Sequence, residues 1–111
     1  MSMHGIMIDC AGVGLAEART FWSAALGLPV TDPDEHGAGR YAVLSGVHGL
    51  AVEVQIVTHP PGVHLDLAAD NVDTEVARLE TLGASLVSRH PSGWVVMQAP
   101  TGHRFCVVPR R

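Results

Sequence analysis

The sequence predicts an α+β domain made of two copies of one module, each with the order strand, helix, strand, strand, strand. Two amphipathic segments end in the same Leu-Gly pair, 56 positions apart. A short apolar segment precedes each of them, and three extended segments separated by Gly- or Pro-rich breaks follow each. The 111 residues are enough for one domain with its own core, so the repeat indicates two halves of a single domain, 1–111.

The first module is predicted to span residues 4–58. Its first strand is the apolar run 6–10, and a Gly-rich turn leads from it into a helix. The helix presents apolar residues at spacings of three and four, namely Leu15, Ala18, Trp22, Ala25 and Leu26. Gly27 stands where a left-handed residue commonly ends a helix. The three later strands are predicted at 28–31, 40–44 and 50–57, with breaks at Pro33, 37–39 and 46–49.

The second module is predicted to span residues 63–109, after a His-Pro-Pro-Gly hinge at 59–62. Its first strand begins near Val63, and either Asp70 or Asn71 can cap the helix that follows. The apolar face of this helix consists of Val72, Val76, Leu79 and Leu82. Three further strands are predicted at 84–88, 94–98 and 104–108.

Composition excludes several classes of function. The chain has seven Lys+Arg, none of them Lys, and a net charge of -4, which argues against a nucleic-acid backbone or an anionic membrane as partner. Its apolar runs are far shorter than the roughly 20 residues that cross a bilayer, and no signal-like segment opens the chain. We therefore expect a cytoplasmic protein. Cys10 and Cys106 lie in apolar runs and are expected to be reduced, buried thiols.

Three short motifs carry a resemblance to a known family. FWSAALGLPV (21–30), HLDLAADNVDTEVARLETLGA (64–84) and APTGHRFCVV (99–108) resemble the vicinal oxygen chelate superfamily of glyoxalases, bleomycin-resistance proteins and extradiol dioxygenases, in particular its small glyoxalase-like branch. The resemblance implies that the two modules form a curled mixed sheet around a pocket that takes a small-molecule ligand. It also implies a homodimer.

Metal-using members of this superfamily take one ligand from the first and one from the last strand of each module, usually His and Glu. By that pattern His64 and Glu53 occupy ligand positions for Zn, Ni, Mn or Fe. Two positions depart from it. Cys106 stands where a Glu is usual, and the first strand offers only Gly5 or Met7 there.

The register of the first strand is left open by the sequence. His4 is one residue away from the ligand position, and a shift of one residue turns a side chain to the other face of the sheet. The resemblance therefore implies no complete four-ligand centre. It leaves Glu53, His64 and Cys106 as a candidate metal-binding set.

Each candidate has a plainer alternative. His64 can be a core histidine with a hydrogen-bond partner, Cys106 a packed thiol, and Glu53 part of a solvated stripe. Asp66 shares the parity of His64, so both point to the same side of their strand. Asp9 and Asp66, set in apolar strands, either line a polar cavity or face solvent.

Three residues outside this set are candidates for the pocket rim or mouth. Trp94 is large enough to shape a ligand wall, and His103 and Arg104 follow the turn at 99–102. For the last two a solvated turn is the alternative.

The leading functional hypothesis is a small-molecule-binding protein with His64, Asp66, Trp94, His103 and Arg104 at its pocket. Its catalytic candidates, if it is an enzyme, are His64 and Glu53. The second hypothesis is a divalent-metal-dependent lyase or dioxygenase that uses Glu53, His64 and one irregular ligand. A third is an accessory domain whose pocket is filled by side chains.

Overall fold

The computed structural model describes residues 2–110 and divides into two compact units. The N-terminal unit is Gly5–Val63, and the C-terminal unit comprises the described residues of Met1–His4 and His64–Arg111. The elements are β1 (Ser2–Cys10), α1 (Leu15–Leu26), β2 (Val30–Glu35), β3 (Tyr41–Val47), β4 (Leu50–Ile56), β5 (Gly62–Ala69), α2 (Val72–Thr81), β6 (Ser85–Arg89), β7 (Val95–Gln98) and β8 (Arg104–Pro109).

The sheet of the N-terminal unit has the strand order β2-β3-β4-β1. Its first and last strands are parallel neighbours, with Gly5 opposite Ala51 and Met7 opposite Glu53. The other pairs, β2 with β3 and β3 with β4, are antiparallel. A side chain at Gly5 would place its Cβ 2.3 Å from the Ala51 carbonyl oxygen, so only glycine fits this close pairing.

Helix α1 covers one face of this sheet. The even-numbered residues of the strands meet it in a core of Ile8, Cys10, Leu15, Ala18, Ala42, Leu44, Val52 and Val54. Gly27 ends the helix in the left-handed conformation predicted for it, with φ of 69°. The predicted apolar face is wrong at its C-terminal end, where Ala25 and Leu26 are exposed. Leu28, just beyond the helix, packs on the core instead.

The sheet of the C-terminal unit repeats this plan in the order β5-β8-β7-β6. Strands β5 and β8 are parallel, with Asp66 opposite Cys106. Strand β8 pairs antiparallel with β7, and β7 with β6. Helix α2 packs on the odd-numbered residues in a core of Ala69, Val76, Leu79, Val95, Met97 and Val107. The two modules therefore share strand order, pairing sense and helix placement.

Asn71, one of the two residues that the sequence offered as a cap, begins helix α2. Its side chain accepts a hydrogen bond from the Thr74 backbone N–H at 3.0 Å. Asp70 instead accepts one from Arg110 at 2.8 Å. Leu82, predicted on the apolar face, is exposed because the helix ends at Thr81 and its periodicity no longer sets the direction of the next side chain.

The predicted fold class is confirmed, with two βαβββ modules in one α+β chain. One predicted break is wrong, because Pro33 lies inside β2. Proline is tolerated there since β2 is the outer strand of its unit, and its pairing with β3 is irregular between Asp32 and Glu35. Residues 2–110 contain no helix long and apolar enough to span a membrane.

Candidate functional site

The sheet of the C-terminal unit has one face that α2 does not cover. Side chains alternate along a strand, so the residues next to the core positions point to this side. We call it the helix-free face and define it by six residues, His64, Asp66, Val96, Gln98, Arg104 and Cys106. Gln98 and Arg104 stand at strand ends, whereas His64, Asp66 and Cys106 lie inside their strands, where polar groups are unusual.

Three of these side chains form a close cluster. Asp66 and Cys106 are neighbours across the parallel pair β5–β8, and His64 lies two residues before Asp66 on the same side of β5. One potential ligand atom from each residue lies within 4.8 Å of the other two. The shortest described approach is 3.3 Å, between His64 Nε2 and Asp66 Oδ1.

The cluster is shielded from solvent. The His64 side chain is 16% exposed and that of Asp66 is 11% exposed, while Cys106 is half-buried. Oδ1 of Asp66 is fully buried and accepts no hydrogen bond from any residue in the described range, although it is within ion-pair distance of His64. A buried carboxylate oxygen without a hydrogen bond is costly, and such atoms in folded proteins call for an explanation.

Arg104, predicted near the pocket mouth, lies on the helix-free face but is exposed. Its Nε donates a hydrogen bond to Gln98 Oε1 at 3.0 Å, across the antiparallel pair β7–β8. This contact positions the Nε side of the guanidinium group. Gln98 was not predicted, and no pattern in the sequence distinguishes it from an ordinary exposed strand residue.

His103 lies in the turn before β8 and is exposed. Its Nδ1 is 2.9 Å from Thr101 Oγ1 in the same turn. The structure does not bring it into the His64 cluster.

Trp94, predicted at the pocket rim, lies in a different place from the cluster. Its ring stacks on that of His90, with centroids 4.4 Å apart. Both rings line a cleft of about 420 Å³ together with residues 71–73 at the start of α2. Neither His64 nor Asp66 lines this cleft.

Glu53 belongs to the N-terminal unit, where it is 9% exposed. It therefore does not lie in a solvated stripe, the alternative that the sequence left open for it. Met7 and Val43 are its cross-strand neighbours, so Glu53 is on the side of its sheet away from α1. By strand alternation Gly5 and Met7 share this side and His4 does not, which resolves the register of the first strand.

Asp9 and Asp66 are both buried, at 7% and 8% exposure, so neither faces solvent. Asp66 was predicted as a pocket residue but not as a metal ligand. The signal that could have identified it is its shared parity with His64. Its proximity to Cys106 depends on the strand register, which the sequence does not contain.

The donor set of the cluster suits a divalent metal of borderline softness. It offers an imidazole nitrogen, a carboxylate oxygen and a thiol sulfur, the three donor types that Zn²⁺ accepts. Mg²⁺ and Ca²⁺ prefer oxygen donors throughout. The buried Oδ1 of Asp66 is in addition an acceptor that a cation would satisfy. His64, Asp66 and Cys106 are thus the residues that would hold a metal, and a bound metal would polarise an oxygen of a neighbouring molecule.

Comparison with known proteins identifies the family. The model of the glyoxalase-like domain matches residues 5–108, nearly the whole chain. No curated protein matches the sequence closely enough to count as a relative.

Several solved structures share the fold. An NAD-dependent benzaldehyde dehydrogenase structure from Legionella pneumophila is 12% identical, with 96% of this chain and 99% of that chain covered and a TM-score of 0.69. Methylmalonyl-CoA epimerase from Mycobacterium tuberculosis is 16% identical, with 99% and 88% covered and a TM-score of 0.64. A glyoxalase/bleomycin resistance protein/dioxygenase superfamily member from Vibrio splendidus 12B01 is 17% identical, with 98% and 100% covered and a TM-score of 0.57. At these identities the likeness shows the fold alone.

Proposed function

Because the chain belongs to the family of glyoxalase-like domains, we propose that it binds a small organic molecule on the helix-free face of its C-terminal unit. One observation carries the proposal. His64, Asp66 and Cys106 bring three polar groups together among the apolar residues of a sheet. Polar groups in such a place destabilise a fold unless they are paired, so their clustering on one face favours a binding site over a packed core.

The contacts indicate the kind of molecule. Arg104 lies two residues before Cys106 on the same face of β8. Of its guanidinium nitrogens, only Nε donates to Gln98. Guanidinium and imidazole N–H groups both donate to oxygen. We therefore expect a ligand that carries a carbonyl or carboxylate group. Solved relatives by fold include a methylmalonyl-CoA epimerase in complex with methylmalonyl-CoA, a compound of this chemical class.

His64 and Asp66 can also perform acid-base chemistry without a metal. A carboxylate 3.3 Å from Nε2 stabilises the imidazolium that forms when the ring takes up a proton. A histidine beside such a carboxylate is suited to remove a proton from a bound carbonyl compound through Nδ1, since Nε2 faces Asp66. Sequestration of a ligand and proton transfer to His64 are both compatible with the same face.

The experiment is a ligand-observed NMR screen of small carbonyl and carboxylate compounds, with methylmalonyl-CoA included as one probe. We expect at least one compound to bind the wild-type protein and to lose binding about tenfold or more in Arg104→Ala and in His64→Ala. The matched control is Arg89→Ala, since Arg89 pairs with Asp73 on the opposite side of this sheet. Binding that survives both test variants, or is equally weakened by the control, would contradict the proposal.

A second candidate function is a divalent-metal-dependent lyase or dioxygenase that uses Glu53, His64 and one irregular ligand. It is favoured by the burial of Glu53 and by the donor atoms gathered around His64. Substitution His64→Ala would then remove both the metal and the activity. Under the leading proposal the metal content of the purified protein is at background in both forms.

We also expect a cytoplasmic homodimer that binds neither nucleic acid nor membranes, as the family resemblance and the charge of -4 imply. Light scattering on the purified chain should give twice the 11.7 kDa of one copy.

A further inference from the structure

We propose that the C-terminal unit has a second ligand site, in the cleft beside the stacked rings of His90 and Trp94, for a neutral planar heteroaromatic ring. The cleft has a volume of about 420 Å³, which is within the roughly 300–1,000 Å³ that is typical of ligand pockets. It lies between the start of α2 and the turn that joins β6 to β7. This inference goes beyond the proposed function, because the residues that line the cleft do not include His64, Asp66 or Arg104.

Trp94 is a large apolar side chain that the core of its unit does not use. Within residues 2–110 that core is built by helix α2 and the strands, and Trp94 lies outside it, in the turn before β7. Its ring stacks instead on that of His90, with centroids 4.4 Å apart and planes 12° apart. Two parallel rings form a flat surface at the wall of the cleft, on which a third ring can stack.

The orientation of His90 is fixed by the turn itself. The Ser92 backbone N–H donates to His90 Nδ1 at 3.1 Å, and the Ser92 hydroxyl oxygen is 2.7 Å from the same atom. The His90 backbone N–H donates to the Trp94 carbonyl oxygen at 2.9 Å. Because Nδ1 is an acceptor, the hydrogen of the neutral imidazole is on Nε2. The turn therefore holds both rings in place and leaves Nε2–H as a donor for a bound molecule, at little cost in side-chain entropy on binding.

The other lining residues favour a ligand without charge. Val72 and Val95 provide apolar surface, and Val95 is 1% exposed. Arg89 and Asp73 carry the two opposite charges of the cleft, and Arg89 Nη1 donates to Asp73 Oδ1 at 2.8 Å. Since this ion pair has no net charge, an anion or a cation would have to compete with one partner for the other. A neutral ring would leave the pair intact.

The hydrogen-bonding groups specify the edge of the ligand. The side-chain oxygen of Asn71 is occupied by the Thr74 N–H, so the NH₂ group of Asn71 is the part that can contact a ligand. Together with the Nε2–H of His90 it gives the cleft two donors. The matching ligand class is a flat heterocycle that stacks through its ring and presents carbonyl or ring-nitrogen acceptors at its edge.

The test titrates caffeine, a neutral planar purine whose edge offers acceptors only, into the full, untagged chain. The chain has two tryptophans, of which Trp94 lines the cleft and Trp22 packs on the core of the N-terminal unit. Stacking on Trp94 should quench tryptophan fluorescence with saturation at one caffeine per chain, after correction for absorption by caffeine. Ligand-observed NMR measures the affinity independently of fluorescence. A saturated cyclic urea, which has the acceptor but no aromatic ring, should not bind.

Variants separate stacking from an effect on the fold. Trp94→Leu removes the ring and should weaken caffeine binding about tenfold or more. Trp94→Phe keeps a ring for stacking but removes the fluorophore, so NMR should still detect binding while the quenching is lost. Trp22→Phe is the matched control and should keep both the affinity and the quenching. Circular dichroism on each variant establishes that it is folded.

Three results would overturn the site. They are no caffeine binding by the folded wild type, unchanged affinity in Trp94→Leu, and an equal loss of affinity in Trp22→Phe. Arg104→Ala distinguishes the cleft from the helix-free face and should leave caffeine binding unchanged. Loss of caffeine binding in Arg104→Ala with retention in Trp94→Leu would assign caffeine to the helix-free face instead. Failure here leaves the screen of carbonyl and carboxylate compounds unaffected, since that screen depends on Arg104 and His64.

Discussion

At the scale of single residues, Glu75 and Asp66 show two ways in which this chain accommodates a buried carboxylate. Glu75 is 5% exposed and accepts two hydrogen bonds from Arg78, at 2.6 and 3.0 Å. The paired guanidinium lowers the pKa of Glu75. Asp66 is equally buried, but its contact with His64 lacks hydrogen-bond geometry. The Glu75 carboxylate finds both of its hydrogen bonds within helix α2. Oδ1 of Asp66 accepts no hydrogen bond from the described residues and can therefore accept one from a bound molecule.

The Glu75–Arg78 pair predicts a pH-dependent stability. Because the folded-state pKa of Glu75 is lowered, its stabilisation is fully present above the unfolded pKa of about 4.3 and is lost as the pH falls through the folded pKa. Glu75→Gln should cost about 1 kcal/mol of unfolding free energy at pH 7, a modest value because half of Arg78 is exposed.

Urea denaturation of the wild type and Glu75→Gln at a series of pH values measures this difference. It should shrink to near zero in acid, below the folded pKa. A difference that stays constant down to that range would mean that the pair stabilises by packing and not by charge.

At the scale of elements, helix α2 depends on one polar side chain at its start. The sequence offered two residues for the cap, and the structure selects Asn71, whose side-chain oxygen reaches the Thr74 N–H. Asp70 lies one position too early and contacts Arg110. Helix α1 begins at Leu15, and Gly14 at its N-cap position provides no side-chain cap. Leu26 at the end of α1 and Leu82 just beyond α2, the last residues of the two predicted apolar faces, are both exposed.

Asn71→Ala should therefore destabilise the protein by about 1 kcal/mol, because it leaves the Thr74 N–H without its acceptor. The neighbouring substitution Asp70→Ala is the control and should change stability by less than about 0.5 kcal/mol, since it removes only an exposed ion pair. Thermal or urea denaturation of both variants gives the comparison. Equal effects would show that the cap is not the source of the stabilisation.

At the scale of the whole molecule, a metal ion held at the His64 cluster, as the second candidate function requires, would couple metal binding to folding. A metal that binds only the folded chain adds about 2.7 kcal/mol at 100 times its dissociation constant. For a chain of this length that corresponds to a rise in melting temperature of roughly 10 °C. Mg²⁺ at the same concentration should have no such effect.

Differential scanning fluorimetry with Zn²⁺ checks this prediction on three proteins. Under the second candidate function the wild type and Cys10→Ser should shift and Cys106→Ser should shift little, whereas under the leading proposal none of the three should shift. The same rise in Cys106→Ser would show that zinc acts at another place, such as the exposed histidines.

Much of the fold could be predicted from the sequence because the signals for helix ends, helix caps and turns are local. The Leu-Gly helix ends, the Asn71 cap and the breaks between strands each act within a few residues. The repeat then gave the order of elements in both modules, and the family resemblance gave the fold class. The strand break predicted at Pro33 was wrong because a proline is tolerated inside an outer strand such as β2. Which strand lies at the edge is a property of the sheet and not of the local sequence.

Only part of the candidate site could be predicted from the sequence. His64 and Cys106 were identified by position within the resembling motifs, and Asp66 by its parity with His64. That these three meet was decided by the tertiary structure, because residues 40 positions apart become neighbours only through the parallel register of β5 and β8. The sequence by itself determined the elements and their repeat, since helix periodicity, caps and turns are encoded locally. The tertiary structure alone decided the cluster, since strand register depends on how distant segments pack.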